Sequence, residues 1–132
     1  MVTGRPHTRA MDINHPWRRR RPADAGLGTS LPIRPGTRLT AEGATGSEFF
    51  IIDAGHVAVQ RLGIEVAVLG PGDHFGEIVM LDPRSRRTAT VVAAEDLNVK
   101  VFNRREFGTL LGRDPAFAER SRRDAAERLR AA

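Results

Sequence analysis

The residues whose spacing promises most chemistry lie in one run, Phe75-Gly76-Glu77-Ile78-Val79-Met80-Leu81-Asp82-Pro83-Arg84-Ser85-Arg86-Arg87-Thr88-Ala89-Thr90-Val91. Between two strand-like segments it places a glycine, a carboxylate, one short apolar turn of helix ended by Pro83, and arginines that lead into the next strand. Gly76 lets a ligand approach the backbone closely, and the free N–H groups of Glu77, Ile78 and Val79 at a helix start point at whatever sits there. Such a cradle attracts anions. Arg87 supplies a planar fork matched to two phosphate oxygens, and Glu77, an acceptor when ionised, takes a hydrogen bond from a hydroxyl beside the anion. The ligand implied carries a phosphate and a neighbouring sugar hydroxyl. The same charges allow a plainer use, an ion pair between Glu77 and Arg87 at the mouth of an unused pocket. Arg84 and Arg86 read as solvated loop charges.

Other chemistry is thin. Zero cysteines exclude disulfides, thiolate metal sites and thiol catalysis. Pro71-Gly72-Asp73-His74 followed by Glu77 carries part of a cupin-type metal motif, yet such a site needs several converging ligands and His56 is the only other histidine in the domain. His7 and His15 fall in the amino-terminal region. Ser30, Ser47, Ser85 and Ser121 lack a nucleophile elbow of the Gly-x-Ser-x-Gly kind. The expectation is a protein that is not an enzyme and holds no metal or cofactor.

The net charge of +5 is concentrated: residues 1–21 hold six arginines against one aspartate, and the remainder is neutral. Lys100 is the sole lysine, a usage that reflects a GC-rich genome more than a need for guanidinium forks. The block Arg18, Arg19, Arg20, Arg21 touches nucleic acid or acidic lipid only by sequence-blind phosphate attraction, or is simply a solvated tail. No apolar run reaches membrane-span length and no apolar segment follows the early arginines, so a cytoplasmic protein without membrane insertion is expected.

These groups need a frame to hold them. In residues 1–28 only Val2, Ile13 and Leu27 are Val, Ile, Leu or Phe, against 29 such residues in 29–132. The first segment cannot offset its ordering entropy by burial, which predicts a flexible Arg-rich tail over 1–28 and one folded domain over 29–132. In the domain, strand-like runs at 31–33, 38–40, 49–52, 56–60, 64–69, 88–92 and 98–102 alternate with Gly/Pro/Asp turns. Short strands at this interval predict an antiparallel sandwich or roll. Helical signals follow Asn103: that residue caps 104–111 with Glu106 at the capping-box position and Gly112 at the exit, and Asp114 caps a second run opening at Pro115. The last helix carries a thin stripe of Phe117, Ser121, Ala125 and Leu129, which predicts weak docking.

Phe-Gly-Glu-Ile, the step from Glu77 to Arg87, and Arg-Thr-Ala-Thr-Val together resemble the phosphate-binding cassette of the cyclic nucleotide-binding domain family. Ile33-Arg34-Pro35-Gly36-Thr37, the Gly43 turn, Phe49-Phe50-Ile51-Ile52, Gly55-His56-Val57 and Leu69-Gly70-Pro71-Gly72-Asp73 follow the family's order, so the resemblance covers about residues 30–130. It implies a mainly β fold with terminal helices, an antiparallel β-roll of the double-stranded β-helix or jelly-roll type, and a non-catalytic receptor signalling through helix movement or a partner protein. The implied ligand is cyclic AMP, with cyclic GMP as the alternative because Thr88 can bridge phosphate and guanine amino group. By the same resemblance Glu77 accepts from the ribose 2′-hydroxyl, Arg87 pairs with the cyclic phosphate alongside the backbone of Gly76, Glu77, Ile78 and Val79 and the Thr88 side chain, and Val59 and Val66 face the base. Val79 stands where the family usually has alanine or glycine; its methyl groups are expected to crowd the phosphate, so that Val79→Ala would tighten binding. No helix-turn-helix domain is expected, since the chain ends at Ala132. The rival reading keeps the fold as an interaction module that binds no nucleotide.

Overall fold

Phe49-Phe50-Ile51-Ile52 shows no polar alternation because both faces of its strand are covered. The computed structural model, which describes residues 22–131, places this run in the middle of the molecule. Phe49 and Ile51 join Val79, Met80, Phe102, Phe107, Leu110 and Phe117 in a cluster under the helices. Phe50 and Ile52 join Val57, Phe75, Val91, Ala93, Leu97 and Val99 in a second cluster. One strand thus carries two cores on its alternating faces.

Eight strands build the frame: β1 (Thr29–Ile33), β2 (Arg38–Thr40), β3 (Phe49–Ala54), β4 (Val57–Arg61), β5 (Ile64–Leu69), β6 (His74–Phe75), β7 (Thr90–Ala93) and β8 (Leu97–Phe102). They form two four-stranded antiparallel sheets in the orders β1-β8-β3-β6 and β2-β7-β4-β5. This is the antiparallel roll expected. Strand β6 was not expected, being too short to give a period; it is held by its register, Phe50 opposite Phe75, whose rings stack 4.7 Å apart. The run expected to pair from Thr88 pairs only from Thr90. Before it, the Arg87 N–H donates to the Ala44 carbonyl and the Gly43 N–H to the Arg87 carbonyl, both at 2.8 Å, so Arg87 and Thr88 are fixed to a loop rather than to a sheet.

Three helices complete the fold: α1 (Glu77–Leu81), α2 (Arg104–Arg113) and α3 (Pro115–Ala131). The capping box forms, with the Glu106 N–H donating to Asn103 Oδ1 at 2.8 Å and the Asn103 N–H donating to Glu106 Oε1 at 2.9 Å. Helix α2 runs through Gly112, the expected exit, and stops at Asp114, whose N–H still reaches the Leu110 carbonyl. Asp114 then caps α3, accepting from the Phe117 N–H at 3.1 Å. Helix α3 is firmly seated: Phe117, Ala118, Ser121 and Ala125 are buried, whereas Leu129 is 51% exposed.

Of the tail expected over residues 1–28, residues 1–21 lie outside the described residues, and the inner end is ordered. Residues 22–28 lie against the domain, where Ala23 and Leu27 pack on the aromatic cluster and Asp24 sits 3.7 Å from the Lys100 ammonium. The Gly28 N–H donates to Glu106 Oε2, and Arg113 donates to the Ala23 and Ala25 carbonyls. Backbone hydrogen bonding holds this segment where apolar content alone did not suggest order. Arg18, Arg19, Arg20 and Arg21 lie outside the described residues. Among the described residues no helix is long and apolar enough to cross a membrane.

Candidate functional site

Gly76 turns the chain from β6 into α1 with φ at +95°, a left-handed conformation strained for any residue with a Cβ. A Cβ there would also lie 2.8 Å from the Glu48 carbonyl and 3.0 Å from Arg87 Nη1. Gly46 is required for a related reason, since a Cβ at that position would run into the Arg87 guanidinium. Two glycines therefore make room for one arginine. Arg87 is 8% exposed; its Nη2 donates to the Glu48 carbonyl at 3.0 Å, and its Nη1 is buried with no partner. Burial pushes its pKa down, Glu48 works upward, Arg104 downward and Glu77 upward. This is a desolvated cation with one arm unused.

Glu77 opens α1 and is 1% exposed. Arg128 of α3 reaches it with Nη1 at 2.8 Å from both carboxylate oxygens, and the same nitrogen donates to the His74 carbonyl at 3.2 Å. Burial pushes the Glu77 pKa up; the Arg128 charge and the hydrogen bonds to the carboxylate hold it down. The ion pair between Glu77 and Arg87 weighed from the sequence does not form: Glu77 takes Arg128, and Arg87 takes backbone. His74, behind the carboxylate, is 5% exposed and its pKa is pushed down to about 3 by burial, then by Arg128 and Arg120. The Asp124 carboxylate, 3.2 Å from its Nε2, works in the opposite direction. The imidazole is thus neutral at neutral pH.

All eight residues singled out from the sequence line one cavity of about 270 Å³. Gly76, Glu77, Ile78 and Val79 come from the start of α1, Arg87 and Thr88 from the segment before β7, Val59 from β4 and Val66 from β5. Arg61, Arg128 and Ala131 also line it and were missed. Arg128 had a sequence signal: the buried positions 117, 121 and 125 continue at 128 as readily as at 129 on a 3.6-residue period. Arg84 is on the loop, its side chain 93% exposed and paired with Asp82, and exposed Arg86 donates to the Gly43 carbonyl at 3.2 Å.

Val79 lines the cavity and is also part of the core. It is 1% exposed and belongs to the cluster of Phe49, Met80, Phe102 and Phe107. A substitution that removes its methyl groups opens a void in that core. Val79→Ala is therefore expected to destabilise the protein by roughly 1–3 kcal/mol, read as a lower Tm. An unchanged Tm with a tenfold gain in affinity would support the crowding account instead.

Comparison with known proteins bears on this arrangement. The cAMP-dependent protein kinase regulatory subunit of Yarrowia lipolytica is 37% identical over 86 residues, 64% of this chain, and the chain spans 23% of that subunit's length. The solved structure of Sp-2Cl-cAMPS bound to PKAR CBD2 superposes with a TM-score of 0.73 over 98% of this chain and 94% of that one; at 23% identity the likeness is one of fold. A chain solved under the heading of a cyclic-GMP-dependent signalling pathway in bacterial phytopathogenesis gives 0.69 at 27% identity, covering 81% of this chain and 88% of that one. The family model for the cyclic nucleotide-binding domain matches residues 31–114, a span that takes in the whole cassette from Gly76 to Arg87, and on that ground the chain belongs to the cyclic nucleotide-binding domain family.

Proposed function

We propose that the chain is a non-catalytic receptor for a 3′,5′-cyclic nucleotide, which holds the ligand in the cavity between α1, the Arg87 segment, β4 and β5, and signals through α3 or a partner protein. The observation that carries this reading is the Arg87 guanidinium, desolvated beside Gly76 with Nη1 unpaired. A buried donor left without an acceptor is costly, and a phosphate oxygen relieves that cost. Thr88 and the residues at the start of α1 line the same cavity. Glu77 offers its carboxylate to the ribose hydroxyl while Arg128 neutralises it, and Val59 and Val66 supply apolar surface for the base. Cyclic AMP and cyclic GMP are the ligands to test, since both stand among the names of the related proteins.

The experiment is thermal melting and titration calorimetry of the full chain with each nucleotide. Ligand at 100 times its Kd should stabilise the fold by roughly 2.7 kcal/mol, a shift of several degrees. No shift at millimolar concentration with either nucleotide would leave the fold as an interaction module that binds no nucleotide.

A further inference from the structure

We infer that Arg61 selects the base and that the site prefers guanine to adenine, against the expectation of cyclic AMP; the inference rests on the reading of the cavity as a nucleotide site. The polar groups of the cavity divide by the element that bears them. Arg87, Thr88 and the start of α1 serve the phosphate, and Glu77 with Arg128 serves the sugar hydroxyl. Apart from a few apolar side chains and Thr40, whose hydroxyl is spent on the Ala89 carbonyl, the remaining wall comes from β4 and β5, with Val59, Arg61, Val66, Ala67 and Leu69. Four of those five side chains are apolar and cannot distinguish one purine from another by hydrogen bonding. Arg61 is the exception.

Its guanidinium is poorly used. Nη2 reaches the Arg128 carbonyl at 3.3 Å, a long bond, and Nε is buried with no partner. Arginine has donors only. Guanine offers two adjacent acceptors, O6 and N7, which match a guanidinium fork; adenine offers N7 beside the N6 amino donor, which sets donor against donor. A site that presents an underused fork and otherwise apolar walls therefore favours the carbonyl-bearing purine, by about tenfold or more. The contact with the Arg128 carbonyl also gives Arg61 a plain structural use, because the last four carbonyls of a helix lack intrahelical partners. That use predicts no dependence on the base.

The test is calorimetric titration of the full chain with cyclic GMP, cyclic IMP and cyclic AMP, repeated on Arg61→Ala and Arg61→Lys. Cyclic IMP keeps O6 and N7 but lacks the exocyclic amino group, which separates Arg61 from a contact between Thr88 and that amino group. The expected result is that cyclic GMP and cyclic IMP both bind about tenfold or more tighter than cyclic AMP. Arg61→Ala should abolish the difference while changing cyclic AMP affinity less than about threefold, and Arg61→Lys should restore only part of it. Equal loss for all three nucleotides in Arg61→Ala, or cyclic IMP binding as weakly as cyclic AMP, would overturn the assignment while leaving the receptor reading intact. Failure of all three to bind the unaltered chain would overturn both.

Discussion

Arg87→Ala is expected to lower cyclic nucleotide affinity at least about thirtyfold, while Arg84→Ala and Arg86→Ala each lower it less than about fivefold. The contrast follows from where the three guanidinium groups lie. Arg87 is buried beside Gly76 with Nη1 free of any partner, so its pairing with a phosphate takes place out of water and costs roughly 2–5 kcal/mol to remove. Arg84 is in solvent on its loop, and Arg86 is exposed and engaged with the Gly43 carbonyl; an exposed cation contributes at most about 1 kcal/mol. Titration calorimetry of the three variants checks the order. Each variant must first melt without ligand, because Arg87 also holds the Glu48 carbonyl and its loss unties the loop around Gly46. Equal losses at all three positions would mean that the cluster acts only through its summed field.

The sequence puts Arg87 at the cassette and Arg86 on a loop, but it does not show what holds the two apart. Strand alternation does not, since the strand begins at Thr90. The backbone bonds of Arg87 to Ala44 and Gly43 set its direction instead, and those partners lie over forty residues away, beyond the reach of a local pattern. The roll and the capping box were legible because they depend on short-range chemistry: apolar runs between turn residues, and Asn103 three residues ahead of Glu106. Arg128 was hidden by the usual preference for an apolar residue on an inward face. Leu129 fitted that preference, and the helix instead turns a charge inward because a buried carboxylate waits there. Val79 has a second role that the cassette did not reveal, since it lines the cavity and its methyl groups also pack in the core.

Arg128→Ala is expected to destabilise the protein by roughly 2–3 kcal/mol near pH 8 and by clearly less near pH 5. Glu77 is 1% exposed, and Arg128 is the cation within hydrogen-bonding distance of it. Removing one partner of a buried pair leaves an uncompensated charge, which costs roughly 3–5 kcal/mol when both partners are fully buried; the 30% exposure of the Arg128 side chain places this pair below that range. Burial already holds the Glu77 pKa above its ordinary value, and loss of Arg128 raises it further. A carboxyl whose folded pKa exceeds its unfolded one binds more protons in the native state, so stability falls as pH rises through the window between the two values. The deficit of the variant should therefore grow from pH 5 to pH 8. His74 is neutral across that range in the parent, held so first by burial and next by Arg128, so loss of Arg128 also relaxes His74, and a control that lacks Arg128 too is needed to isolate Glu77. The double variant Glu77→Gln with Arg128→Ala is that control: it removes the stranded charge, and its deficit should be smaller and flatter with pH than that of Arg128→Ala alone. Thermal melts of the three proteins at both pH values decide the matter. A deficit for Arg128→Ala that is independent of pH and unrelieved by Glu77→Gln would show that Arg128 acts by packing α3 against the cassette, and that the charge it brings to Glu77 plays no part in seating the helix.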